Sequence, residues 1–295
     1  MNGSLHPPEA AEHRFRSRHA DEYRNPWIGH TSYRPSIRIG EESAMTGALS
    51  WEVMYADERF SWFWPPAFDP KKEPPYVESI VTLLEAKPGT RVLDLACGQG
   101  WITVPLAQRG FQVTGCDLSE AMLARAQQAA AQVGASVEWQ RADMRSLPPA
   151  WTERFDYVTH TLSEFGCFTE EAENRRVLEE VARVLKPGGR YLLDVVVNRD
   201  GWLVSGQTSG WLKGDGFRVR EEFSFDLVRG IHTRHYRWDA GAGPQEYEKQ
   251  FHMYTPTEVV QMLEAAGFQL VGAYGSLTGA KLTRKSTGIA LVAEK

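Results

Sequence analysis

The chemically suggestive feature of this chain is a carboxylate set one strand away from a glycine turn. Val92-Leu93-Asp94-Leu95 is an apolar run broken by one acid, and it ends in Ala96-Cys97-Gly98-Gln99-Gly100. Asp117 follows at the end of a second strand-like run, FQVTGCD. Glycine lets backbone approach a ligand with no Cβ in the way, and a carboxylate one strand over can accept both hydroxyls of a ribose. The spacing therefore suits an adenosine-containing cofactor. A dinucleotide fingerprint needs a third glycine for close helix–strand packing, but Thr103 stands there, after Trp101 and Ile102. That disfavours a nicotinamide cofactor and points to an adenosine ligand without a pyrophosphate.

The elements that must hold these residues are legible as an alternation starting at Thr90. RVLDLA, QVTGCD, VEWQRAD, FDYVTHTL and RYLLDVVV read as strands. WITVPLAQRG, SEAMLARAQQAAAQVG (Ser119 as N-cap) and EEAENRRVLEEVARVL read as helices between them. Strands alternating with helices predict a parallel sheet covered on both faces, in doubly wound order. After Asn198 the pattern changes. FRVREEFSFDL, IHTRHYRWDA and QEYEKQFHMYT have period-2 character, and residues 199–254 are expected to form a small antiparallel insertion of two or three strands. TPTEVVQMLEAAGF then returns as a helix, with Thr255 and Glu258 as a capping box, and FQLVGAYG and GIALVAEK close the sheet. Upstream, residues 1–45 read as a polar arm, and 46–86 as an aromatic and helical lid containing Trp51, Tyr55, Trp62, Phe63, Trp64 and Phe68.

Taken together, these segments resemble a class I methyltransferase dependent on S-adenosylmethionine (SAM), over about residues 87–295. LDLACGQG is similar to the family's glycine loop, with Ala96 where a glycine is usual; GCDLSEAML is similar to its ribose-binding segment, RADM to its adenine-binding segment, and RVLKPGGRYLLD to the turn and strand after its catalytic loop. The resemblance implies an α/β, doubly wound, Rossmann-like fold: a seven-stranded, mostly parallel sheet with its last strand antiparallel and the insertion after strand 5. It implies SAM as cofactor and S-adenosyl-L-homocysteine (SAH) as product. By the same resemblance, Asp94, Ala96, Gly98 and Gly100 line the methionine moiety. Asp117 takes the ribose, with Leu118 and Met122 nearby, and Asp143 and Met144 meet the adenine. Thr159 and His160 lie near the methionine end, and Tyr55 contacts its carboxylate. THTLSEF stands where the amino methyltransferases of adenine or glutamine carry Asn/Asp-Pro-Pro-Tyr.

Methyl displacement from a sulfonium needs mainly alignment, and a base only when the nucleophile arrives protonated. His160 and Glu164 follow the fourth strand and are the candidate catalytic residues. Trp62 and Trp64 on one side, with His252 and Tyr254 at the end of the insertion on the other, are the candidate substrate walls. The histidines of the insertion (His232, His235, His252) lack carboxylates at ligand spacing, so no metal is expected. The net charge of −5 disfavours nucleic acid, whose phosphates need a concentrated basic surface. Three cysteines without a CxxC pair suit a reducing compartment, and no apolar run is long enough for a membrane span. The reading is a cytoplasmic enzyme acting on a small molecule, of the metabolite or natural-product biosynthesis kind, with homodimerisation left open. An RNA or protein methyltransferase is the alternative.

Overall fold

The computed structural model describes residues 70–71, 74 and 76–295, apart from 164, 196, 214–216, 240 and 242. The arm 1–45, nearly all of the aromatic segment (Tyr55, Trp62 and Trp64 included) and Glu164 lie outside the described residues.

The sheet strands are β1 (Arg91–Leu95), β2 (Gln112–Asp117), β3 (Glu138–Arg141), β4 (Phe155–Ser163), β5 (Leu185–Val195), β10 (Gln269–Tyr274) and β11 (Ile289–Glu294). They lie in the order β10-β11-β5-β4-β1-β2-β3. β1 pairs in parallel with both β2 and β4, and β4 pairs in parallel with β5. β11 is antiparallel to β5 on one side and to β10 on the other. The sheet is the expected one, and the last strand is an interior strand of it.

Both faces are covered. Alternate residues of each strand therefore enter two different apolar layers, which makes the strands continuously hydrophobic. Leu93, Leu95, Val158, Tyr191, Leu193 and Leu291 face one layer. There they meet Val177, Leu178 and Val181 of α4 (Glu171–Val184) and Val259 and Met262 of α6 (Pro256–Ala265). Val92, Val113, Leu192 and Val292 face the other layer, against Val77, Ile80 and Leu84 of α1 (Val77–Leu84) and Leu106 of α2 (Thr103–Gln108). α3 (Glu120–Val133) starts at Ser119, whose hydroxyl accepts the Met122 N–H, and ends at Gly134 in the left-handed conformation. α6 starts with the full Thr255/Glu258 capping box.

The insertion begins with a helix, α5 (Arg199–Ser205), followed by β6 (Ser209–Lys213), β7 (Arg218–Asp226), β8 (Ile231–Asp239) and β9 (Pro244–His252). These four strands form an antiparallel meander in sequence order. The sequence suggested two or three. The additional strand, SGWLK, is too short to show alternation, and its pairing with β7 supplies what its own pattern lacks.

Candidate active site

The order of strands reverses between β1 and β4, and open α/β sheets bind ligands in the crevice outside the carboxyl ends at that point. The glycine turn sits there. Gly98 and Gly100 have φ of 54° and 89°. A Cβ at Gly98 would project into open space, so the turn leaves a cradle above its backbone. Ala96 adopts φ 55°, the left-handed conformation that the usual glycine takes without strain and that costs an alanine about 1–2 kcal/mol. The loop thus keeps its shape at a small local expense.

Asp117 at the end of β2 ties this loop to the next helix. Its Oδ2 accepts the Gly98 N–H at 2.8 Å and its Oδ1 the Ser119 N–H at 2.8 Å. Burial raises its pKa, against these two N–H donors. Each oxygen has a second lone pair, so the carboxylate can still accept ribose hydroxyls.

Asp94 is fully inside. Its Oδ2 accepts the Thr103 hydroxyl at 2.5 Å and its Oδ1 the Thr159 hydroxyl at 2.9 Å. Burial pushes its carboxyl up to about 6, opposed by these hydroxyls. Thr103, which replaces the third glycine of a dinucleotide loop, therefore has a positive role as a donor that latches the start of α2 to β1. Thr159 is itself completely buried, and it supports the carboxylate from β4.

At the far end of the site, Asp143 is gripped by Arg145, whose guanidinium and backbone N–H both donate to it. The Arg145 hydrogen bonds hold its carboxyl below the usual range. Arg145 also reaches Glu173 and covers the Phe168 ring at 4.4 Å. Met144 packs partly buried against the α4 side of the core. The Leu118 carbonyl accepts from Arg141, and Met122 is buried in α3, its N–H on the Ser119 cap.

The residues after β4 are held from the side of the insertion. The His252 N–H donates to the Gly166 carbonyl at 2.7 Å. Its ring stacks on Tyr254 with centroids 4.4 Å apart. Tyr254 packs on Phe165 and accepts from the Asn174 amide at 3.0 Å. His252 and Tyr254, read from sequence as substrate wall, are placed here as a clamp between β9 and this loop. His160 is 1% exposed, shares a 3.0 Å hydrogen bond with Tyr191 and meets the Phe165 ring edge-on. Burial lowers its pKa to about 4, so the ring is neutral at physiological pH. Cys97 and Cys116 are buried thiols; burial raises Cys97 well above its usual value and Cys116 to about 12.

Two residues escaped the sequence reading. Asp194, near the end of β5, is buried, and its Oδ2 accepts the Leu162 N–H at 3.0 Å. Thr161 is buried with its hydroxyl unpartnered among the described residues. Nothing local in THTL or LLDV marks them; only the adjacency of β4 and β5 brings them together. Among the described residues no group of His, Cys, Asp and Glu could hold a metal ion, and no helix is long and apolar enough to cross a membrane.

A seven-stranded sheet with an interior antiparallel last strand, a glycine turn after β1 and an acid ending β2 is a Rossmann-like arrangement of the methyltransferase kind. Residues 92–189, about a third of the chain, match the family model described as a methyltransferase domain. YqeM of Bacillus subtilis is 40% identical over 107 residues, 36% of this chain and 42% of that protein. Rv1405c of Mycobacterium tuberculosis is 38% identical over 102 residues, 35% of each. The match thus spans under half the length of these relatives. The CcbJ methyltransferase from Streptomyces caelestis superposes with a TM-score of 0.68 at 21% identity, covering 82% of this chain and 98% of that one. SAM-bound CalS10, an amino pentose methyltransferase from Micromonospora echinaspora, gives 0.55 at 22%, covering 86% and 99%. At these identities the likeness to the solved structures is one of fold.

Proposed function

We propose that this chain is a SAM-dependent methyltransferase acting on a small-molecule acceptor of the metabolite or natural-product kind. The observation that carries the reading is the Asp117 carboxylate, fastened to the Gly98 N–H and the Ser119 N–H at the switch point of the sheet. It is a rigid acceptor beside a glycine cradle with room above it. The residues present fit SAM: Gly98 and Gly100 offer backbone to the amino-acid part, Asp117 accepts the ribose hydroxyls, and Leu118 and Met144 flank the base. Asp143 remains ionised next to Arg145 and serves the adenine edge. Bound SAM supplies a methyl group on a sulfonium, which leaves as a neutral thioether when a nucleophile takes the carbon. The protein's part is alignment. Thr159, through Asp94, fixes the end of β4, and neutral His160 positions the same strand through Tyr191.

The small-molecule assignment is supported by the insertion, which clamps the loop after β4 through His252 and Tyr254 and so walls one side of the crevice. That CalS10, which shares the fold, is an amino pentose methyltransferase also supports it.

Calorimetry with SAM, SAH and NADH on the full chain tests the cofactor reading. Saturable SAM and SAH binding without NADH binding is the expected result; NADH binding without SAH binding would reject it.

A further inference from the structure

Asp194 and Thr161 sit on neighbouring strands at the carboxyl end of the β4–β5 ladder. β4 and β5 run in register through Thr159↔Leu192 and His160↔Leu193, and the pairing resumes at Ser163↔Val195. One extra residue in β4 makes a bulge there. Bulges commonly re-aim side chains beside active sites. The extra residue is absorbed at Leu162, which takes φ 55°, and the Asp194 Oδ2 holds its N–H at 3.0 Å.

Side chains alternate along a strand. Asp194 therefore lies on the same sheet face as Leu192, and Thr161 on the same face as Thr159 and Asp94, one pleat nearer the carboxyl edge than the Asp94–Thr159 contact. Opposite Asp194 on β11 stands Ala290, whose methyl side chain offers the carboxylate no donor. The Asp194 Oδ1 takes no hydrogen bond from the described residues, and no Lys, Arg or His among them pairs with this carboxylate. The Thr161 hydroxyl, on a side chain more than nine-tenths buried, is unpartnered as well.

We propose that Asp194 and Thr161 are the acceptor-recognition pair of this site and that the acceptor is an amine, whose N–H groups donate to the Asp194 Oδ1 and the Thr161 hydroxyl. This deepens the methyltransferase reading and rests on it. Two chemical arguments select an amine. A buried carboxylate without a counter-charge is costly, and an ammonium supplies both the charge and two donors, whereas an alcohol supplies one donor and no charge. A metal ion wants more oxygen ligands than one carboxylate and one hydroxyl. An amine that arrives as an ammonium gives one proton to Oδ1, which frees the nitrogen lone pair for the new N–C bond, while the electron pair of the broken C–S bond stays on sulfur. Burial raises the Asp194 carboxyl to about 7, where a carboxylate can take and return that proton near neutral pH.

The test uses matched pairs that differ in one heteroatom, benzylamine against benzyl alcohol and D-glucosamine against D-glucose, titrated calorimetrically into the SAH-saturated full chain. Asp194→Asn retains the acceptor for the Leu162 N–H and turns the other end into a donor; Thr161→Val removes the hydroxyl at constant shape. The expected result is an amine bound at least about tenfold more tightly than its alcohol partner. That preference should be lost in Asp194→Asn and reduced in Thr161→Val, with SAH affinity within twofold of wild type in both. No amine in the panel binding better than its alcohol, or a preference that survives in both variants, would overturn the proposal. Failure of wild type to bind SAH would instead sink the methyltransferase reading, so the two outcomes are distinguishable. Should Asp194→Asn fail to fold, Thr161→Val alone carries the comparison.

Discussion

Asp94→Asn is the most searching perturbation of the scaffold under the site. In the native chain the Asp94 carboxyl is fully buried and pushed by burial from 3.8 up to about 6. The folded protein therefore binds this proton more tightly than the unfolded chain does. The stabilisation is complete below about pH 3.8 and is lost as pH rises through 6. Between pH 5 and pH 8 the folded state gives up the proton while the unfolded chain is already ionised, which is worth about 1.4 kcal/mol. Asparagine cannot titrate, and its amide can accept from one threonine hydroxyl and donate to the other. The quantity to measure is the difference in unfolding free energy, wild type minus Asp94→Asn, from urea titrations at pH 5 and pH 8. It should fall by about 1.4 kcal/mol on going to pH 8, in favour of the variant. Asp117 and Asp194 also carry raised values, but both are present in the two proteins and cancel in the difference. A difference that is the same at both pH values would refute the argument, because it would show that the carboxyl is not held at a raised value by burial.

Other expectations follow from single contacts. Asp117→Ala removes the ribose acceptor and frees the Gly98 loop, so calorimetry should show SAH affinity lower by at least about tenfold; unchanged affinity would sink the site assignment. Gly166 has φ 101°, and a Cβ there would sit 2.0 Å from the His252 carbonyl oxygen, backbone that cannot swing aside. Gly166→Ala should therefore cost about 2–4 kcal/mol in urea unfolding, and a stable variant would show that the loop and β9 are not clamped as described. The His160 ring, depressed to about 4 by burial, should show flat NMR shifts from pH 8 to 5.5, and a midpoint near 6.5 would mean that it meets solvent.

Much of this architecture was legible because its signals are local. The strand runs, the Ser119 cap, the Thr255–Glu258 box and the left-handed glycines are set by residues a few positions apart. Asp94, Gly98 and Asp117 fall into place for the same reason, since adjacent parallel strands bring turn and acid together. What stayed hidden depends on pairing across the sheet. Thr103 could be read only as a missing glycine, not as the donor to Asp94. His252 and Tyr254 stand out as candidate substrate wall, but nothing in QFHMY reveals that Gly166 and Asn174 will meet them. Arg145, two residues beyond Asp143, was in plain view and yet its grip on that carboxylate was not anticipated. Asp194 and Thr161 were missed outright: their relation arises from one surplus residue in β4.

The threading of β11 has a consequence for how the molecule comes to exist. Its residues, 289–294, close the sheet between β5 and β10, and Arg190 finds Glu294 at a separation of 104 positions. A ribosome delivers β5 about a hundred residues before its neighbour. During that interval β5 presents a bare apolar edge, the kind that recruits other chains. Contacts so distant in sequence also form slowly. Expression temperature and chaperone supply should therefore govern the yield of this protein more than the stability of the finished fold does. Changes within β11 act on an interior strand of the sheet, not on its edge.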